Sequence, residues 1–144
     1  MKNRTLVLIA IIILCCGCEE TNFEPETHNF RFEQLPGCQT LVYNNLEKAG
    51  ADSCFNYSFF EKLVVEFCVS GNCCPDSNRF AVESKELGDT ITISVQDTAA
   101  NLCRCNCNYI ILTEFQNLTG NNYFVKCTDK ESGRVLYLKE VKRR

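Results

Sequence analysis

The segment Asn101–Phe115, NLCRCNCNYIILTEF, places Cys103, Cys105 and Cys107 at every second position ahead of an apolar run. Period two marks an extended strand, in which alternate residues share a face. On that reading the three thiols point the same way as Tyr109, Ile111 and Phe115, while Arg104, Asn106 and Asn108 point the other way with Ile110 and Leu112. Neighbours in the triplet sit about 6.6 Å apart at Cα, near the upper limit for a disulfide. Cross-strand partners at about 4.5–5.5 Å fit better. The segment SGNCCPD supplies them: Cys73 and Cys74 are adjacent, diverge when extended, and so reach different partners. A bridge closing a loop of about 30 residues stabilises by about 3–4 kcal/mol, chiefly by restricting the unfolded chain.

The chain has 12 cysteines. Setting aside Cys15, Cys16 and Cys18 leaves an odd set, so full internal pairing strands one thiol. Bridge candidates are Cys38, Cys54, Cys73, Cys74, Cys103, Cys105, Cys107 and Cys127; Cys68, opposite the Phe67 face, is the candidate leftover. Sequence alone does not choose the pairing. The competing reading is a thiolate site for Zn or Cu(I) built from Cys73, Cys74, Cys103, Cys105 and Cys107. Against it stand the missing C-x-x-C knuckle beyond residue 18 and an oxidising compartment. Redox catalysis is weaker still, for the same missing motif.

The first residues carry an address. MKNR is a short basic start, and the 12-residue apolar run Thr5–Cys16 follows. That run is shorter than the ~18–20 residues that cross a bilayer, and the layout is that of an export signal. A small residue before cysteine at its end, Gly17–Cys18, resembles the bacterial lipobox. The resemblance implies cleavage after residue 17 and a lipid on Cys18, with Cys16 as the minor alternative, because Cys15 and Cys16 depart from the usual pattern. Two acyl signals hold a chain on a membrane where one does not. Residues 18–29, EETNFEPETHN after the cysteine, form an acidic tether reaching at most about 35 Å. Glu19 and Glu20 resemble the acidic surface-export signal of Bacteroidetes-type lipoproteins. The processed chain would have 13 Lys and Arg against 18 Asp and Glu, a net −5, which excludes an electrostatic nucleic-acid footprint.

Residues 30–144 make one domain of period two. DTITISV sets Ile91, Ile93 and Val95 on one face, and FFEKLVVEFCV does the same for Phe59, Leu63, Val65, Phe67 and Val69. RFAV and YFVKC are shorter candidates. RVLYLKEV is apolar on both faces at its centre, as a covered strand would be. SGN, LGD, LTGNN and DKESG read as turns, the last closing a C-terminal hairpin. Only TLVYNNLEKAGA allows a helical turn. The expectation is an all-β, antiparallel, immunoglobulin-like sandwich of about seven strands, cross-linked by disulfides.

The ordered set GNCCPD…RF, DTITISVQDT, CRCNCNY and YFV resembles a group of uncharacterised Bacteroidetes-type lipoproteins. The resemblance spans roughly residues 68–125 and implies a β-sandwich in the cell envelope, on the outer membrane, with no established activity. Cys38, Cys54 and Cys127 lie outside the shared pattern.

Function classes narrow by subtraction. The only histidine, His28, falls in the tether, so no Ser-His-Asp or Cys-His arrangement has a base. Glu61, Glu66, Glu83, Glu86 and Glu114 are dispersed, with no spacing that singles out a catalytic pair. No phosphate-binding or metalloprotease motif occurs. The expectation is a non-catalytic binding or scaffold module without a cofactor, presenting the loops QLPGCQTLVYNNLEKAGAD and QDTAANLC to a protein or glycan. Asp97-Thr98-Ala99 and Asp89-Thr90-Ile91 resemble the bacterial O-glycosylation triplet. Asn56 and Asn117 match the eukaryotic sequon and matter only if the lipobox reading is wrong.

Overall fold

The computed structural model describes residues 29–35, 54–74 and 77–144. These form eight strands: β1 Phe30–Leu35, β2 Phe55–Phe59, β3 Leu63–Asn72, β4 Phe80–Leu87, β5 Thr90–Asp97, β6 Asn106–Phe115, β7 Asn122–Asp129 and β8 Val135–Lys142. No helix occurs among the described residues; the candidate helical turn, at 40–51, lies outside them. Two four-stranded sheets result, in the orders β1-β6-β3-β2 and β4-β5-β7-β8. The sandwich expectation holds, with eight strands where about seven were expected.

The period-two rows account for the core. Phe59, Leu63, Val65 and Phe67 of β2 and β3 are fully buried, with Val69 close behind. They face Ile91, Ile93 and Val95 of β5, and Tyr123, Val125 and Val141 complete the same cluster. Burial at about 25 cal/mol per Å² of apolar surface drives the packing of one sheet on the other. Thr113, on the inward row of β6, satisfies its hydroxyl by donating to the Val65 carbonyl at 3.2 Å.

One neighbouring pair departs from the antiparallel expectation. β5 and β7 run parallel, from Thr90↔Phe124 to Val95↔Asp129. A parallel pair needs a crossover, and β6 supplies it: the chain leaves β5, crosses to the other sheet, and returns. Each crossing reverses direction, so two restore it.

β8 corrects the reading of RVLYLKEV as a covered strand. It is the edge of its sheet, with Leu138 58% and Val135 46% exposed. Its inward row is Tyr137, Lys139 and Val141, opposite Cys127, Val125 and Tyr123, and a register shift at Cys127/Thr128 breaks the alternation before Val135. Lys139 and Lys142 on this edge oppose pairing with another chain.

Candidate functional site

Each of the eight described strands has one terminus at the same end of the sandwich: the C-termini of β1, β3, β5 and β7 and the N-termini of β2, β4, β6 and β8. The cysteines of interest lie there. The alternation behind the opening segment extends only to Cys107, because β6 begins at Asn106. Cys107 is nearly buried on the core-facing row and is disulfide-bonded. Cys103 and Cys105 belong instead to the loop ahead of β6, and Cys105 is exposed.

Cys74 and Cys103 are bridged, with Cα atoms 5.6 Å apart. Cys73 continues the β3–β6 ladder, its amide donating to the Cys105 carbonyl at 3.1 Å. The Cys105 sulfur lies 3.1 Å from that of Cys103, and the sulfurs of Cys73, Cys103 and Cys105 all fall within 4.8 Å of one another. Four of the five cysteines named for the thiolate site are therefore together, and Cys107 is engaged elsewhere.

Two polar side chains hold this arrangement. Asn72 is nearly buried. Its Oδ1 accepts from the Cys74 amide at 3.0 Å and the Cys103 amide at 3.3 Å, and its Nδ2 donates to the Cys103 carbonyl. The Tyr109 hydroxyl, inside the core, donates to the Asn72 carbonyl at 2.6 Å. Arg79 is wholly buried, and its side chain is the largest one so placed among the described residues. Its Nε and Nη2 donate to Asp97 Oδ2 at 2.9 and 2.7 Å. Nη1 reaches the Cys74 carbonyl at 3.3 Å, and Nη2 also donates to Asn101 Oδ1. A buried cation is tolerated only when paired and hydrogen-bonded, and these partners meet that need.

The space for Arg79 is made by Gly71. Gly71 continues the inward row of β3, where a side chain would enter the core. A Cβ there would stand 2.8 Å from Arg79 Nε and 2.9 Å from Phe80 Cζ. The absent side chain lets the guanidinium lie against the strand. The Arg79 and Phe80 amides both donate to Gln34 Oε1, at 2.9 and 3.0 Å, which ties β1 in one sheet to β4 in the other. Sequence reading missed Asn72, Gly71, Arg79 and Asp97. The one available signal was an arginine placed immediately before an apolar strand and after a cysteine-rich turn.

Beside this cluster lies a recess of about 450 Å³ lined by Val69, Phe80, Val95, Asp97, Asp129 and Tyr137, among others. The Ser132 amide and hydroxyl both donate to Asp129, at 2.7 Å each, and hold its carboxyl below the usual range.

Cys18, Cys38 and His28 lie outside the described residues. Cys68, the candidate leftover, is bridged to Cys54 across the β2–β3 hairpin, Cα to Cα 5.5 Å; its outward position on β3 puts it beside the residue preceding β2. Cys127, a bridge candidate, is a free thiol with no exposure. It sits opposite Ile93 and Tyr137 in the ladders, and burial pushes its pKa from 9.0 up to about 12. Glu83 and Glu114 form surface ion pairs with Lys130 and Lys62, the Lys62 hydrogen bond lowering the Glu114 pKa. The Thr98 hydroxyl, in one candidate glycosylation triplet, donates to the Arg79 carbonyl at 2.9 Å.

Comparison of the chain with protein-family models, with curated proteins and with solved structures returned no match.

Proposed function

We propose that this chain is a lipid-anchored lipoprotein of the bacterial cell envelope whose β-sandwich works as a non-catalytic binding or scaffold module. The anchor reading rests on Gly17–Cys18 after a short apolar run. The binding reading is carried by one observation, the recess of about 450 Å³ at the cysteine-bearing end. Its size falls within the range of small-ligand sites, and its walls set the charged groups Asp97, Asp129 and Arg134 beside Phe80, Val95 and Tyr137. The bridge, Arg79 and Asn72 fix the neighbouring loops before any partner arrives, so little ordering entropy is lost on binding.

The test uses the full chain purified from membranes in detergent. Intact mass should equal the polypeptide from Cys18 plus its acyl groups; a processed terminus at any other residue removes the anchor. The same protein is then screened on glycan arrays and against envelope protein fractions. Any ligand found should lose affinity on Tyr137→Ala, which shortens a recess wall. A ligand indifferent to Tyr137→Ala and Asp129→Asn would remove the recess from the reading.

A further inference from the structure

We propose that Cys73, Cys74, Cys103 and Cys105 form a redox-gated site for one thiophilic closed-shell cation, Zn(II) or Cu(I), closed by the Cys74–Cys103 bridge and opened by its reduction. This goes beyond the binding module, because it needs neither the recess nor the lipid anchor.

Three observations converge. First, the sulfurs are already gathered: those of Cys73, Cys103 and Cys105 lie within 4.8 Å of one another, and Cys74 is bonded to Cys103. A tetrahedral ion with metal–sulfur bonds of about 2.3 Å sets its ligands about 3.8 Å apart. Those three sulfurs need move by only about 1 Å, and Cys74, released from Cys103, supplies the fourth ligand. Second, the frame that gathers them is not made of sulfur. Asn72 grips the Cys74 amide and both the amide and carbonyl of Cys103. The Cys73 amide bonds the Cys105 carbonyl, and the Leu102 amide bonds the Cys74 carbonyl. These contacts persist when the S–S bond is cut. Third, the site meets solvent through Cys105, which gives an ion and a reductant a way in.

A thiolate of an external dithiol attacks one sulfur of the Cys74–Cys103 bridge, the S–S bond breaks, and the other cysteine leaves as a thiolate. The second thiol of the reductant then attacks the mixed disulfide and departs as the cyclic disulfide, carrying away two electrons' worth of oxidation. Four cysteine thiols remain. Zn(II) binding by all four forms four metal–sulfur bonds and releases four protons. After loss of the ion, exchange with an external disulfide, which is itself reduced to two thiols, restores the Cys74–Cys103 bridge.

The experiment takes the full chain in detergent, oxidised or treated with a phosphine reductant that does not compete for metal. Each form is mixed with Zn(II), Cu(I) or Co(II), passed through gel filtration, and assayed for metal and for near-ultraviolet circular dichroism. The reduced chain should keep its tertiary signal and retain one ion per chain. With Co(II) it should show the intense visible bands of a tetrahedral tetrathiolate. The oxidised chain should retain none. Cys105→Ser, which breaks no bridge, should abolish the tetrathiolate bands, whereas Cys54→Ser should leave them unchanged. Retention equal in Cys105→Ser and the parent would overturn the site, as would a folded reduced chain that keeps no metal. Collapse of the tertiary signal in the oxidised Cys74→Ser, Cys103→Ser chain, which loses that bridge alone, would overturn the claim that the frame survives without it.

Discussion

The two ends of the sandwich are each closed by an arginine, and they use it differently. At the cysteine end, Arg79 is wholly buried and all three guanidinium nitrogens have partners: Asp97, Asn101 and the Cys74 carbonyl. At the opposite end, Arg143 lies over the Phe59 ring, 4.5 Å from its centroid. It donates from Nη2 to the Leu118 and Gly120 carbonyls at 2.6 and 3.2 Å. Its Nε is buried and has no partner among the described residues. Backbone hydrogen bonds do the remaining work there, from Arg143 to Asn121 and from Arg144 to Phe59. The difference follows from the chain's path. The opposite end is joined by short connections, so ladders and a stacked ring suffice. The cysteine end must order the 98–105 crossover, where few ladder bonds exist. A covalent bond and a paired buried charge replace them.

The comparison is broken most directly at the bridge. Replacing Cys74 and Cys103 together by serine should cost about 3–4 kcal/mol, the chain-entropy value for a loop of this length. Denaturant unfolding of the oxidised chain measures it. A loss under about 1 kcal/mol would mean that Asn72 and Arg79 hold the crossover without help.

Arg79→Met should cost nearly as much, about 3 kcal/mol, because it removes several charge-assisted hydrogen bonds from a wholly buried site. Asp97, whose side chain is about one-third exposed, recovers water, which keeps the figure from rising further. Arg143→Ala should cost less, about 1–2 kcal/mol, the scale of a cation–π contact with two carbonyl bonds. Equal losses at the two arginines would erase the asymmetry between the ends.

Gly71→Ala sharpens the claim that backbone space makes room for the charge. The new methyl would meet Arg79 Nε and Phe80 Cζ under 3 Å, and overpacking of this kind costs about 1–3 kcal/mol. In an Arg79→Met background the penalty should shrink, because a flexible thioether moves aside. A double-mutant cycle reads the coupling.

These residues also mark where sequence reading stops. β5 was legible because its apolar and polar residues alternate without a break, and burial in a sandwich demands that order. β8 was not: Leu136, Tyr137 and Leu138 are consecutive, so both faces looked covered, and only the topology puts Leu138 on an open edge. That Cys74 would reach the triplet was legible, but Cys103 bonds from a loop rather than from the strand that spacing implied, and Cys73 and Cys105 form no disulfide. The pairing of Cys68 did not, because Cys54 precedes its strand and no alternation reaches it. Arg79 was invisible for a different reason. Its burial depends on Gly71, Asp97 and Asn101, which are scattered in sequence and meet only when two sheets close.

The smallest effect separates position from residue type. Cys127 is buried where Cys105 is exposed, and burial holds the Cys127 thiol neutral up to about pH 12 against 9.0 in the unfolded chain. Above pH 9 the unfolded state therefore binds fewer protons than the folded state, and stability must fall as pH rises toward 12. At pH 10 the loss from this thiol is about 1 kcal/mol. It should vanish in Cys127→Ala when each chain is referenced to its own stability at pH 8. Native alkylation at pH 8 should label Cys105 and spare Cys127 until the chain unfolds. Labelling of both at similar rates would mean that the sulfur chemistry does not belong to one end of the sandwich, and the contrast between core and end would fail with it.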